Sequence, residues 1–187
     1  MQKKIIIIGA GQVGLNTAHR LFNAKEGCLI TLIEQDAHTA SELDESNEFT
    51  VVHGSGTCPN ILQSVGIYDA HMLFAVTDSD EVNLLACFIA DKLCEDRDKT
   101  KSKRSLLKYA RVRNEYLQNM ITDVIPIDVL INPEQICAEK MVELIRYSQL
   151  VDSLPFEDGK LKLYGIKLPT NSPLIGQSLR EYTASAH

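Results

Sequence analysis

The run Gly9-Ala10-Gly11-Gln12-Val13-Gly14 narrows the choice of folds more than any other feature of this chain. It is a G-x-G-x-x-G pattern, and three glycines at that spacing also recur by chance, so its flanks decide what it means. Before it stands the continuous β-branched run of residues 5–8, of the kind that makes a strand covered on both faces. After it, residues 13–24 place Val13, Ala18, Leu21 and Phe22 near the period of an amphipathic helix. A strand that ends in a glycine turn and leads at once into a helix opens a βαβ unit, and there each glycine has its own task. Gly9 makes the tight turn, Gly11 admits a pyrophosphate against the backbone, and Gly14 lets helix and strand pack closely. The free N–H groups and partial positive charge at the helix start attract phosphate, so Ala10, Gln12 and Val13 need include no lysine.

Residues 28–33 read as a second strand, and Glu34 stands at its end, twenty residues after Gly14. A carboxylate at that place accepts hydrogen bonds from the ribose hydroxyls of an adenosine and repels a 2′-phosphate. Glycine loop, element order and acid agree on a dinucleotide, NAD(H).

The same alternation continues along the chain. A polar helical crossover at 37–46 precedes a strand at 49–52, which stops at the turn-prone His53-Gly54-Ser55-Gly56. A short helix at 59–65 leads to a strand at 72–76, ended by Thr77-Asp78-Ser79-Asp80, where Ser79 or Asp80 caps a helix at 81–94. The charged stretch 95–104 has no apolar residue and reads as a solvated loop without chemistry. A strand at 106–112, a helix at 115–120 and a sixth strand at 124–127 follow. Pro133 then opens a helix at 134–147 with Ile136, Met141, Leu144 and Ile145 as apolar positions. Strands alternating with helices predict an α/β fold: a Rossmann-like, doubly wound, parallel six-stranded sheet with a C-terminal helix. Beyond that helix the pattern changes. Residues 150–155 and 161–168 flank Glu157-Asp158-Gly159-Lys160, whose Asp-Gly is a hairpin signal. The expected division is a dinucleotide-binding domain at 1–147 and a short β-containing appendage at 148–187.

Composition removes other classes. A net charge of −6 argues against a general nucleic-acid binder. The longest apolar stretch, 5–13, is interrupted by Gly9, Gly11 and Gln12, so no span of ~20 apolar residues is present, and the opening Met-Gln-Lys-Lys reads as the approach to a strand instead of a secretory leader. The five cysteines include no CxxC pair, which predicts reduced thiols in a cytosolic protein and no metal site.

Five ordered blocks carry a resemblance. They are residues 7–14, Val52-His53-Gly54-Ser55-Gly56-Thr57, residues 75–84 from Ala75 to Leu84, Ala110-Arg111-Val112-Arg113, and Ile131-Asn132-Pro133-Glu134. With them the chain resembles the N-terminal RCK (KTN) domain of Trk-type potassium-uptake regulators, the TrkA family. Residues 172–179 are similar to the opening of the family's RCK-C (TrkA-C) module, which implies a linker and a truncated start of that module at 148–187. The resemblance implies a cytoplasmic regulatory subunit, peripheral at the inner face of the plasma membrane. Such a subunit binds NAD(H), or in relatives ATP or ADP, and gates a potassium-translocating membrane protein as a dimer or larger homo-oligomer. By matched position, Gly9 through Val13 lie along the pyrophosphate and Glu34 on the adenosine ribose. Ser55 and Gly56 line the adenine side, Thr77 and Asp78 meet the central phosphates or second ribose, and Arg111 approaches the phosphates or nicotinamide end. Gln12 stands where many ATP-preferring relatives carry arginine, which favours NAD(H), and Ser55 stands where the family often has aspartate.

An NAD(H)-dependent oxidoreductase is the alternative, since this fold often serves hydride transfer. Such an enzyme needs a substrate pocket with an acid/base group from a further domain. About forty residues follow the nucleotide-binding unit, and His19, His53, His71 and His187 fall in no recognisable catalytic pairing. The sequence therefore points to a ligand-sensing regulator and not an enzyme.

Overall fold

A computed structural model of the chain describes residues 2–24, 27–45, 48–97, 106–121, 124–146, 150–156, 161–172, 174–176 and 178. Among these, β1 (Lys3–Ile8), β2 (Cys28–Glu34), β3 (Thr50–His53), β4 (Met72–Ala75), β5 (Leu107–Arg111) and β6 (Val129–Ile131) form one sheet in the order β3-β2-β1-β4-β5-β6. Every pairing in it is parallel. The chain runs outward from β1 through β2 to β3, then crosses back to β4 on the other side of β1. The crevice where the order reverses therefore opens at the carboxyl ends of β1 and β4.

The helices between these strands are α1 (Gln12–Asn23), α2 (Ala37–Asp44), α3 (Pro59–Ser64), α4 (Asp80–Arg97) and α5 (Glu115–Ile121), with a 3₁₀ turn at Ile67–Asp69. They cover both faces of the sheet, and β1 supplies both cores by the two-residue alternation of a strand. Ile6 and Ile8 pack with Ile33, Leu62, Ile67, Leu73, Leu84 and Cys87. Ile5 and Ile7 pack with Ala18, Leu32, Phe49 and Val76 on the other face. Each isoleucine of β1 from Ile5 onward is buried, which contributes roughly 1.5–3 kcal/mol apiece. The Cys87 thiol is pushed up to about 12, chiefly by its burial, so it acts as a small core side chain. Buried Lys108 is paired with Asp91 of α4, while the Lys108 amide donates to Asp128 Oδ2.

One strand lies later than the sequence suggests. Residues 124–127 are not the sixth strand; Val129–Ile131 is, with Tyr109, Ala110 and Arg111 of β5 facing Val129, Leu130 and Ile131. The reason is local. The amides of Val124 and Ile125 both donate to the Ile121 carbonyl, continuing the end of α5, and Pro126 has no N–H to give to a ladder. Ile125 and Ile127 still pack on the core, which is why they carry a strand-like apolar pattern. The charged stretch also divides: Glu95, Asp96 and Arg97 belong to α4, and the rest lies outside the described residues.

The chain divides into two compact units, Met1–Pro133 and Glu134–His187. The second contains nearly all of α6 (Pro133–Arg146) and an antiparallel pair, β7 (Leu150–Phe156) and β8 (Leu161–Ile166). The Asp-Gly turn expected between these strands lies outside the described residues. Among the described residues no helix is long and apolar enough to cross a membrane.

Candidate functional site

An open cleft of about 490 Å³ lies at the switch point of the first unit. That volume is within the usual range for ligand pockets. Its walls are the glycine loop from Ile8 to Gly11, the end of β2 from Ile33 to Gln35 with Thr39, Gly54 and Gly56, and the loop from Val76 to Ser79 with Val82.

The three glycines of the loop do three different things. Gly9 has φ 96°, a left-handed conformation, and a Cβ there would stand 3.0 Å from the Thr77 backbone. Gly14 packs α1 onto the loop so closely that a Cβ would come within 1.9 Å of the Gly9 carbonyl oxygen. Gly11 is unlike both: it is the extended residue before α1, and a Cβ there would meet nothing within 4 Å. The space beside it is the cleft. The start of α1 has no side-chain cap and no acid in its first turn, so its amides and partial positive charge are available to an anion. Gln12 begins α1 with its carbonyl accepting from Asn16, and Val13 packs into the second core; neither lines the cleft.

Glu34 bridges two backbone segments. One carboxylate oxygen accepts the Ala10 N–H at 2.8 Å and the other the Asp36 N–H at 2.8 Å. The acid therefore braces the glycine loop against the β2–α2 turn, and each oxygen retains a lone pair for a ribose hydroxyl. Asp36 caps α2, its Oδ1 accepting from the Thr39 amide at 2.8 Å and hydroxyl at 2.7 Å, contacts that hold its carboxyl below its ordinary value. The His53 ring sits 3.2 Å from the Gln35 carbonyl oxygen.

Across the cleft, Gly56 lies so close to β1 that a Cβ would overlap Ile8, 2.2 Å from its Cγ2. Ser55 turns away: its hydroxyl lies 2.9 Å from that of Thr57, within its own turn, and does not line the cleft. Thr77 and Asp78 do line it. Arg111 stands behind them, its buried guanidinium donating through Nη1 to Asp78 Oδ1 at 2.9 Å while that carboxylate is 91% exposed. The exposed carboxylate offers acceptors to a hydroxyl in the cleft, and Arg111 behind it offsets its charge.

Three residues at this end do more than the motifs alone suggest, Asp80 being expected only as a helix cap. Asn83, Asp80 and Arg113 tie the start of α4 to the end of β5. Asp80 accepts the Arg113 and Asn114 amides at 3.0 Å each, and Arg113 donates from Nη2 to the Asp78 carbonyl and from Nε to Asp80 at 3.4 Å. Between Ser79 and Asp80 as cap for α4, it is Ser79 whose hydroxyl accepts the Val82 amide, at 3.2 Å. The spacing of Asp78, Asp80 and Asn83 is the sequence signal of this network, but it reads equally as helix capping until β5 is placed beside it. Among the described residues no group of three or more histidine, cysteine or acidic side chains is placed to hold a metal ion.

The family model of the TrkA-N domain matches residues 5–133. The chain is 39% identical over 180 residues to the Trk system potassium uptake protein TrkA of Halomonas elongata, covering 94% of this chain and 37% of that protein. In fold it is similar to a structure described as the GsuK channel bound to NAD, with a TM-score of 0.63 and 19% identity over 84% of this chain and 26% of that one. It is similar also to GsuK bound to ADP, with a TM-score of 0.62 and 17% identity over 80% of this chain and 36% of that one. The chain thus spans well under half the length of these proteins.

Proposed function

The chain belongs to the TrkA-N domain family, and on that premise we propose that it is the nucleotide-sensing part of a potassium-uptake regulator, binding NAD(H) in the cleft between Gly11 and Glu34. The observation that carries this reading is the empty space beside Gly11, at the uncapped start of α1 and within reach of the Ala10–Glu34 bridge. A pyrophosphate fits there, and a ribose then falls to Glu34. Gly9, Ala10 and Gly11 would bind the pyrophosphate, with Gln12, Val13 and Gly14 forming the helix start that faces it. Gly56 would lie against the adenine, with Ser55 shaping its turn. Thr77, Asp78 and Arg111 would meet the phosphates or the second ribose.

A relative described as a potassium uptake protein and a similar channel fold described as bound to NAD support the same reading. The ADP-bound structure supports adenine nucleotides as competing ligands, because Glu34 and Gly56 would treat ADP and the adenosine half of NAD(H) alike. Ligand in the cleft would bias the relative orientation of paired domains, and that shift would act on a potassium-translocating membrane protein. On this reading the protein is a homo-oligomeric cytoplasmic regulator held at the inner face of the membrane by its partner. Residues 148–187 would be the linker and opening of an RCK-C module. Among the described residues no histidine lines the cleft, which is in keeping with regulation over hydride transfer there.

Calorimetric titration with NAD+, NADH, ATP and ADP tests the proposal. Saturable NADH binding without oxidation across small carbonyl substrates is expected. Absence of binding would refute the site, and robust turnover would establish the oxidoreductase instead.

A further inference from the structure

Two loops form the far end of the cleft, one after β4 and one after β5, and a single side chain joins them. Asn83, in the first turn of α4, is fully buried. Its Oδ1 accepts the Thr77 amide at 2.9 Å and the Thr77 hydroxyl at 2.7 Å. Its Nδ2 donates to the Thr77 carbonyl at 3.1 Å and to the Arg111 carbonyl at 2.8 Å. A carboxamide has two donors and two acceptor lone pairs, and here all four are used. Asn83 does not itself line the cleft. It fixes the backbone of Thr77, which does, and the point at which β5 delivers Arg111 to Asp78.

The near end is held by other means. The Gly9 amide donates to the Ile33 carbonyl at 2.9 Å, and the Ala10 amide to Glu34. The two ends of the cleft thus differ in their hydrogen bonds, although they meet where the Thr77 backbone packs against Gly9.

We propose that Asn83 is the positioning residue for the part of a dinucleotide that extends past the glycine loop over Thr77 and Asp78, so that it sets the preference for dinucleotides over mononucleotides. This rests on the reading of the cleft given above. AMP, whose contacts are the glycine loop, Glu34 and Gly56, depends little on Asn83, whereas NADH needs both ends aligned.

The test is calorimetric titration of the chain with NADH and with AMP, in the wild type, in Asn83→Ala and in Asn83→Asp. The aspartate variant preserves side-chain shape and loses both donations. Cys87→Ala is the control. It lies one turn further along α4, buried, with Sγ 4.0 Å from the Tyr109 carbonyl and outside the cleft lining, so it disturbs the same packing without touching the loops. Loss of the joining hydrogen bonds should weaken NADH by about tenfold or more and AMP by less than about threefold. Cys87→Ala should lower thermal stability and leave the ratio of the two affinities as in the wild type. The proposal is overturned if folded Asn83 variants lose AMP and NADH by the same factor, or lose neither. It is also overturned if both fail to fold while Cys87→Ala folds, since Asn83 would then serve the fold and not the ligand. A wild-type chain that binds neither probe overturns the reading of the cleft itself, a distinct result.

Discussion

Replacing Gly11 separates what the glycine loop does for the fold from what it does for a ligand. Gly11 has φ −70° and ψ −173°, extended backbone that any residue adopts, and a Cβ there meets nothing within 4 Å. Two small effects on stability then oppose each other. Alanine restricts the unfolded chain, a gain of about 0.4–1 kcal/mol. Glycine is the better residue before a helix, a loss of similar size for alanine. The net change should stay within about 1 kcal/mol, or roughly 2–4 °C in Tm for a chain of this length. The ligand sees something else. The methyl of Gly11→Ala, and still more the two methyls of Gly11→Val, stand in the cleft where a pyrophosphate would approach the α1 amides. Losing two charge-assisted hydrogen bonds at about 1.5 kcal/mol each weakens NADH by about a hundredfold. Gly14 should behave in the opposite way. A Cβ 1.9 Å from the Gly9 carbonyl oxygen forces α1 off the sheet, so Gly14→Ala should cost about 1–3 kcal/mol of stability. Thermal unfolding paired with NADH calorimetry reads both effects. A folded Gly11→Val variant with wild-type NADH affinity would refute the argument.

Three further outcomes are expected. The carboxylate of Glu34 should make NADPH bind at least about tenfold more weakly than NADH, and Glu34→Gln should weaken NADH while narrowing that gap; equal wild-type affinities in competition titrations would mean that Glu34 does not face the ribose. Ile136, Met141 and Ile145 of α6 are exposed, so the chain should be at least dimeric at micromolar concentration and Ile145→Glu should shift it toward monomer; a monomeric wild type by light scattering would count against assembly through this helix. Burial raises the Cys87 thiol from 9.0 to about 12, so above pH 9 the unfolded chain has lost a proton that the folded chain retains, and stability falls as pH rises. Urea midpoints measured from pH 8 to 10 should show a steeper decline in the wild type than in Cys87→Ala, and parallel declines would contradict that assignment.

The most legible part of this protein is the part whose causes are local. Ile5–Ile8, the three glycines and Glu34 lie within one βαβ unit, so spacing alone brings the glycine loop and the acid together. Apolar alternation likewise placed five of the six sheet strands to within a residue or two. The sixth failed at Pro126, where an apolar pattern records packing against the core and a missing amide forbids a ladder.

What the sequence by itself determined, then, is the strand–glycine–helix unit and the order of elements around it, because these depend on residues close in the chain. What only the tertiary structure decided is how residues far apart share their polar groups. Ser55 satisfies its hydroxyl inside its own turn, whereas Asp80 accepts amides of the loop that follows β5 and Asn83 joins Thr77 to the Arg111 carbonyl at the end of β5. The pairing of Arg111 with Asp78 exists only because β4 and β5 are neighbours. A buried carboxamide or guanidinium must find a partner wherever the fold brings one, and no spacing along the chain says which partner that will be.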